Sequence, residues 1–141
     1  MDDALKFSTR LAEQPRSLPA VSGERMGIGY LSPDLYNPPV GRLFLPILRA
    51  QNGDLVEVTV FSDESGEDEV TAEIERNAAR FIRCRSMNDA ELAAFIHDHP
   101  VDVLVDLAGH TAGNRLPVLA NRLAPVQVSF LGYSGSTGLC N

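Results

Sequence analysis

The sequence predicts an α/β domain: a Rossmann-like parallel sheet with helices on both faces. Two observations carry that prediction. From Met26 onward, short apolar runs rich in β-branched residues alternate with stretches whose apolar residues recur at helical spacing. Strands alternating with helices in this way form βαβ units, which close right-handed into a parallel sheet covered on both faces. The strongest single strand signal, Val-Asp-Val-Leu-Val-Asp-Leu over 101–107, runs directly into a glycine-rich turn, as a buried strand leading to a helix does.

In chain order, residues 1–14 read as a short, weakly amphipathic helix, with Leu5 and Leu11 apolar and Asp2 and Asp3 in the first turn, where the helix dipole favours acids. Pro15, Pro19, Ser22 and Gly23 mark a linker over 15–25, and residues 26–141 form the domain proper. Met26–Leu31 is a strand ended by Ser32-Pro33-Asp34. Pro38-Pro39 holds back the next helix until about Val40, after which Leu43, Phe44, Ile47 and Leu48 mark one face. That helix ends near Gln51-Asn52-Gly53. Leu55–Phe61 alternates and is β-branched, so it reads as a strand. Residues 62–69 read as an acidic, solvated loop, Val70–Ala79 as a helix, and Phe81–Cys84 as a short strand. Asn88-Asp-Ala-Glu91 has the form of a capping box, opening a helix that Pro100 stops. Beyond the glycine-rich turn at Gly109–Gly113, residues 114–122 read as a short helix restarted at Pro117. Pro125–Leu131 is the last strand, and residues 132–138 form a loop.

Composition narrows the function. The chain has 141 residues and a net charge of −7, with 12 bases against 19 acids. Such a balance argues against a nucleic-acid binder, which needs a basic stripe. Lys6 is the single lysine, so a mechanism needing a phosphate-holding lysine within the fold is nearly closed, and no P-loop sequence occurs. Cys84 and Cys140 form neither a disulfide framework nor a zinc motif, which fits a reducing compartment. No apolar run reaches the ~20 residues of a membrane span, and the acidic N-terminus is unlike a secretory signal. A cytoplasmic protein without a metal or cofactor is expected.

In a doubly wound sheet the ligand lies beyond the carboxyl ends of the strands, which selects the loops over 32–40, 108–114 and 132–138. Gly109, His110 and Thr111 offer clustered backbone N–H groups, an imidazole and a hydroxyl, suited to a phosphate or a sugar hydroxyl; an ordinary βα turn is the competing account. Gly27-Ile-Gly29 lies inside a strand and lacks the third glycine of a dinucleotide fingerprint. Asp106 at a strand end is read as capping the following turn. His97 and His99 near a helix C-terminus lack acidic or cysteine neighbours at ligand spacing, so metal binding is not expected there.

Three blocks together resemble a known family: Ile28-Gly-Tyr-Leu-Ser-Pro-Asp-Leu35 with Pro39-Val-Gly41; Val101 through Asn114-Arg115; and Leu123-Ala-Pro-Val-Gln-Val-Ser-Phe-Leu-Gly-Tyr133 with Gly135 and Gly138. Residues 26–139 thereby resemble the first catalytic lobe of the tetratricopeptide-linked O-linked N-acetylglucosamine transferases. The resemblance implies a GT-B architecture of two Rossmann-like lobes. It implies inverting transfer of N-acetylglucosamine from UDP-GlcNAc to Ser/Thr hydroxyls of a protein acceptor, without a required metal. It places Asp34 in the active cleft, Pro39 against the donor, and Leu131 and Gly132 near the sugar nucleotide through their backbone.

The chain also departs from that pattern. Pro38 and Arg42 stand where bacterial relatives usually carry histidines, and Ser134 replaces the usual proline. Residues 1–25 hold no counterpart of a further family histidine. The sequence stops inside the first lobe, short of the uracil and diphosphate contacts of the second. The expectation is therefore a partial catalytic lobe, inactive alone, that binds a UDP-sugar only when completed and that self-associates through apolar surface. The alternative is a non-catalytic Rossmann-like interaction module.

Overall fold

Residues 24–37 and 39–139 are described in the structure, a computed structural model. The helix expected over 1–14 lies outside the described residues, with most of the linker, Pro38 and Cys140. Among the described residues, five strands form the sheet: β1 (Met26–Ser32), β2 (Val56–Ser62), β3 (Arg80–Arg83), β4 (Val103–Asp106) and β5 (Val126–Ser129). All neighbours run parallel, in the order β3-β2-β1-β4-β5. The connecting helices are α1 (Pro39–Arg49), α2 (Glu69–Asn77), α3 (Asp89–His97) and the single turn α4 (Leu116–Leu119). The predicted Rossmann-like α/β fold is the one observed.

The chain first moves outward from β1 through β2 to β3, then returns to the other side of β1 for β4 and β5. Right-handed crossovers therefore place α1 and α2 on one face and α3 and α4 on the other. On the first face, Phe44, Leu45 and Leu48 of α1 and Ile74 of α2 pack on Tyr30, Val60 and Val105. On the second, Leu92 and Ile96 of α3 and Val118 of α4 pack on Leu31, Phe61 and Leu104. Phe44 and Phe61 are fully buried, each contributing about 1.5–3 kcal/mol by burial.

Local chemistry explains the element ends. Asn88 and Glu91 make both bonds of the expected capping box (Asn88 Oδ1 from Glu91 N–H at 3.0 Å, Glu91 Oε2 from Asn88 N–H at 2.9 Å). Asp68 caps α2 in the same way with Thr71. Pro39 opens α1 rather than holding it back, because a first-turn residue needs no N–H. The phase of α1 also differs from the predicted face: Gly41, Phe44, Leu45 and Leu48 are buried, whereas Leu43 is 54% exposed. Pro46 sits within α1 on its exposed side, where the carbonyl it leaves unpaired can meet water. The predicted helix over 114–122 shrinks to one turn, with Pro117 in its first positions.

At the amino ends of the strands, β1 is tied to the approach to β4. Gly27 N–H donates to a carboxylate oxygen of buried Asp102 at 2.7 Å, and Asp102 N–H donates to Gly27 O at 2.8 Å. A Cβ on Gly27 would lie 1.9 Å from the Pro100 carbonyl oxygen, which is backbone and cannot swing aside. Gly27→Ala should therefore cost about 2 kcal/mol or more in chemical denaturation, the scale of overpacking in a well-packed core. Gly53→Ala, with nothing within 4 Å of the added carbon, should change stability by less than about 0.5 kcal/mol.

Candidate functional site

Strand order reverses between β1 and β4, so the loops leaving these strands separate to opposite faces and open a crevice at their carboxyl ends. Three loops meet there. A Cβ on Gly113 would touch the Pro33 ring at 3.2 Å, which sets the loop after β4 against the loop carrying Asp34. A Cβ on Gly109 would lie 2.5 Å from Tyr133 Cβ, and one on Gly132 would lie 1.8 Å from Leu107 O. The loop after β5 is thereby pressed onto the end of β4. Gly109 has φ +59°, in the left-handed region, so it meets both a steric and a conformational demand that only glycine satisfies at low cost.

Asp106 organises the turn. Its carboxylate accepts Ala108 N–H at 3.0 Å and Gly109 N–H at 2.9 Å, and Ser129 Oγ lies 3.3 Å away. The capping role expected for Asp106 is the one seen, and those backbone donors are committed to it. Thr111 Oγ donates to Ala108 O at 2.9 Å, leaving its lone pairs to accept. His110 is exposed and meets Tyr133 edge-on, with centroids 5.2 Å apart. Leu131 takes φ +75°, a costly conformation for a leucine, and packs partly against the first core face. Asp34 is half-buried, and burial raises its carboxyl above the ordinary value. Its own N–H donates to Ser32 Oγ at 3.0 Å. Pro39 stands exposed at the start of α1, at the far end of the same loop. The crevice thus gathers a carboxyl group, an imidazole, a phenol and a hydroxyl.

The acidic stretch after β2 is solvated only in part: Glu67 and Glu69 are exposed as the sequence suggested, but its first two acids are not. Asp63 and Glu64 are 3% and 8% exposed. Arg115 grips Asp63 with a two-pronged ion pair (Nε at 2.7 Å, Nη2 at 2.9 Å), reaches Asp89 at 2.7 Å, and donates to Met87 O. This knot ties the end of the glycine-rich loop to β2 and to the first turn of α3. Its signal was absent from local pattern, since Asp63 and Arg115 are 52 residues apart. Glu64 Oε1 is 3.5 Å from Thr71 Oγ, while Glu64 Oε2 and Ser62 Oγ are buried without a hydrogen-bond partner among the described residues. Burial, then repulsion from Glu67 and Asp68, pushes the Glu64 carboxyl up to about 7.

Elsewhere the chemistry is quiet. Burial pushes the Cys84 thiol up to about 12, so it is a poor nucleophile. His99 Nδ1 lies 2.7 Å from Phe95 O. Among the described residues, no group of three or more His, Cys, Asp or Glu side chains is arranged to hold a metal ion. No helix there is long and apolar enough to cross a membrane.

Comparison with known proteins agrees with this geometry. The model of glycosyl transferase family 41 matches residues 9–140. The chain belongs to that family. It is 31% identical over 116 residues to the probable UDP-N-acetylglucosamine–peptide N-acetylglucosaminyltransferase SEC of Arabidopsis thaliana, covering 82% of this chain and 12% of that protein. It is 30% identical over 125 residues to SPINDLY of Oryza sativa, a probable enzyme of the same description, covering 86% of this chain and 14% of SPINDLY. A solved mutant O-GlcNAc transferase of Thermobaculum terrenum superposes with a TM-score of 0.88 at 31% identity, covering 96% of this chain and 26% of that one. The family 41 chain described here thus has the architecture of a GT-B lobe and spans a small fraction of its relatives' length.

Two consequences can be measured. Arg115→Met strands the buried Asp63 carboxylate and should cost about 3–5 kcal/mol in urea unfolding, whereas Asp89→Ala, at a half-exposed partner, should cost less than about 1 kcal/mol. For Glu64, the folded-state value near 7 exceeds the unfolded value of 4.5. The folded chain therefore keeps a proton that the unfolded chain releases, and stability falls as pH rises from about 4.5 to 7. Glu64→Gln should match the parent at pH 4 and melt a few degrees higher at pH 8, a shift worth about 1 kcal/mol in a domain of this size.

Proposed function

We propose that residues 26–141 supply part of the first lobe of a family 41 glycosyltransferase acting in the cytoplasm. Such an enzyme transfers N-acetylglucosamine from UDP-GlcNAc to a serine or threonine hydroxyl of a protein. The observation that supports this most is the convergence of three loops at the switch point, on residues falling within the family match. In this reading the acceptor hydroxyl attacks the anomeric carbon as the bond to UDP breaks, and the configuration inverts. Asp34 stands in the active cleft, and Pro39 and the Leu131–Gly132 backbone lie along the donor. The His110 imidazole and the Thr111 hydroxyl offer polar contacts to sugar hydroxyls, with Gly109 giving only its carbonyl, since its N–H is taken by Asp106.

The charge of the donor sets a limit. Two phosphates call for cations or unpaired amides, and Arg115 is committed to Asp63, Asp89 and a carbonyl. The diphosphate is therefore assigned to a second lobe, and the 141-residue chain alone is inactive.

The test joins a transfer assay with calorimetry. Radiolabelled UDP-GlcNAc and a serine-bearing peptide should give no product above blank with this chain. Full donor binding is expected only in the completed enzyme, but a residual donor site on this lobe should still bind UDP-GlcNAc weakly and saturably, and His110→Ala should weaken it several-fold, because that exposed side chain can be removed without disturbing the core. Gly132 is unsuited to the purpose, since any side chain there drives into Leu107 O. Robust transfer would overturn the inactivity, and no saturable binding would overturn the donor site.

A further inference from the structure

Helix α2 holds the loop that carries Asp34 at two points. Thr71 Oγ, in its first turn, donates to Leu35 O at 2.8 Å, and the Asp68 cap accepts Asn37 N–H on Oδ2 at 2.7 Å. The Leu35 side chain is fully buried, so these bonds set the path of the backbone just after Asp34. Thr71 is buried too.

A hydroxyl has one hydrogen and two lone pairs. One lone pair of Thr71 Oγ accepts Asp68 N–H at 3.2 Å. Its hydrogen faces three oxygens: Leu35 O, Asp68 Oδ1 at 3.4 Å and Glu64 Oε1 at 3.5 Å. Asp68 Oδ1 already accepts the Val70 and Thr71 N–H groups, so the contest lies between Leu35 O and Glu64. Glu64 is buried, and neither its Oε2 nor Ser62 Oγ has a partner among the described residues. Thr71 is therefore the hydroxyl within its reach. A neutral Glu64 carboxyl donates into the free lone pair of Thr71 Oγ and leaves the Thr71 hydrogen on Leu35 O. A Glu64 carboxylate has no hydrogen to give. It takes the Thr71 hydrogen or stays buried and unpaired, which is the costlier state.

We infer that Glu64 is a positioning residue for the Asp34 loop: losing its proton to solvent draws the Thr71 hydroxyl from Leu35 O and lets the Leu35–Tyr36 peptide turn. The groups around Glu64 set the pH at which this happens. Glu67 and Asp68 on its own loop repel the carboxylate, and Arg83 of β3, shared with Glu67 and Glu75 of α2, attracts it. Asp63 beside it is paired with Arg115, and Arg85 is turned to the Asp63 carbonyl. Burial is the largest effect, and the balance pushes the Glu64 carboxyl up to about 7. The device thus works across neutral pH. It belongs to this lobe whether or not a sugar nucleotide binds beside it.

NMR of the isotope-labelled 141-residue chain, titrated from about pH 5 to about pH 9, tests this. The Glu64 carboxyl carbon should titrate with a midpoint of about 7. The Leu35 carbonyl carbon and the Tyr36 amide nitrogen should move with the same midpoint. Thr71→Val should uncouple them, so that Glu64 still titrates while the two loop signals stay still. A field of the Glu64 charge acting through space would survive that substitution, whereas a hydroxyl relay is lost. Thr71→Ser should restore the coupled step. Because Thr71 also closes the α2 cap, Glu64→Gln supplies a test that spares it. Its amide can donate to Thr71 at every pH, so both loop signals should remain at their acid positions. Loop signals that are flat in the parent chain, or that still step in Thr71→Val or Glu64→Gln, overturn the inference. So does a Glu64 midpoint in the ordinary carboxylate range.

Discussion

The seam between β1 and β4 governs the rest of the molecule. Right-handed crossovers oblige the helices to change faces where strand order reverses, so the seam has a helix-free mouth at its carboxyl end. Keeping that mouth open requires the two strands to be held firmly elsewhere. At the amino end, Gly27 and Asp102 exchange hydrogen bonds, with the Pro100 carbonyl filling the space a side chain would take. At the carboxyl end, the Arg115–Asp63 pair anchors the far side of the glycine-rich loop to β2. Between these ties the loops around Asp34, His110 and Tyr133 can be polar and exposed without loosening the sheet.

Buried charge is concentrated where it fixes loop position. Asp63 and Arg115 are both largely withdrawn from water and meet in a fork geometry that satisfies two bonds at once. Glu64 next to them is treated differently: one carboxyl oxygen has no partner among the described residues, and burial pushes the group up to about 7. A protonated carboxyl costs far less to bury than a carboxylate. Adjacent acids in one loop thus meet burial differently: Asp63 is gripped by a guanidinium, while burial pushes the Glu64 carboxyl up to about 7.

The sequence made the architecture legible because strand and helix periods are local properties. The alternation in Leu55–Phe61, the capping box at Asn88 and the run over 101–107 each appear as elements within two residues of the expected ends. What it did not show are facts set by distant partners. Leu43 satisfies a helical apolar spacing, yet it is exposed because the sheet meets α1 through Phe44, Leu45 and Leu48. Asp63 and Glu64 look like part of a solvated acidic run until β2 carries them inside and Arg115 arrives from 52 residues away. The short β4 and β5 also fell inside longer apolar runs, since apolar character continues past the last ladder bond into the loops that pack beneath the crevice. In the candidate site, the three loops were legible from topology alone. The contacts that press them together were not, because they depend on missing side chains at Gly109, Gly113 and Gly132.

The distribution of cations bears on how work is divided within the proposed enzyme. Lys6 is the single lysine, and the arginines at 25, 49, 80, 83 and 115 are each joined to carboxylates. The described crevice presents Asp34, His110, Thr111 and Tyr133, a set matched to hydroxyl and ring recognition and poorly matched to a diphosphate. An anionic leaving group held against Asp34 would meet repulsion rather than stabilisation unless positive charge came from elsewhere. In the proposed enzyme, placing the phosphate-binding charge on the other lobe would keep Asp34 from opposing the donor phosphates. It would also complete the electrostatic environment only in a closed, two-lobed state, in which water is excluded and those charges act most strongly.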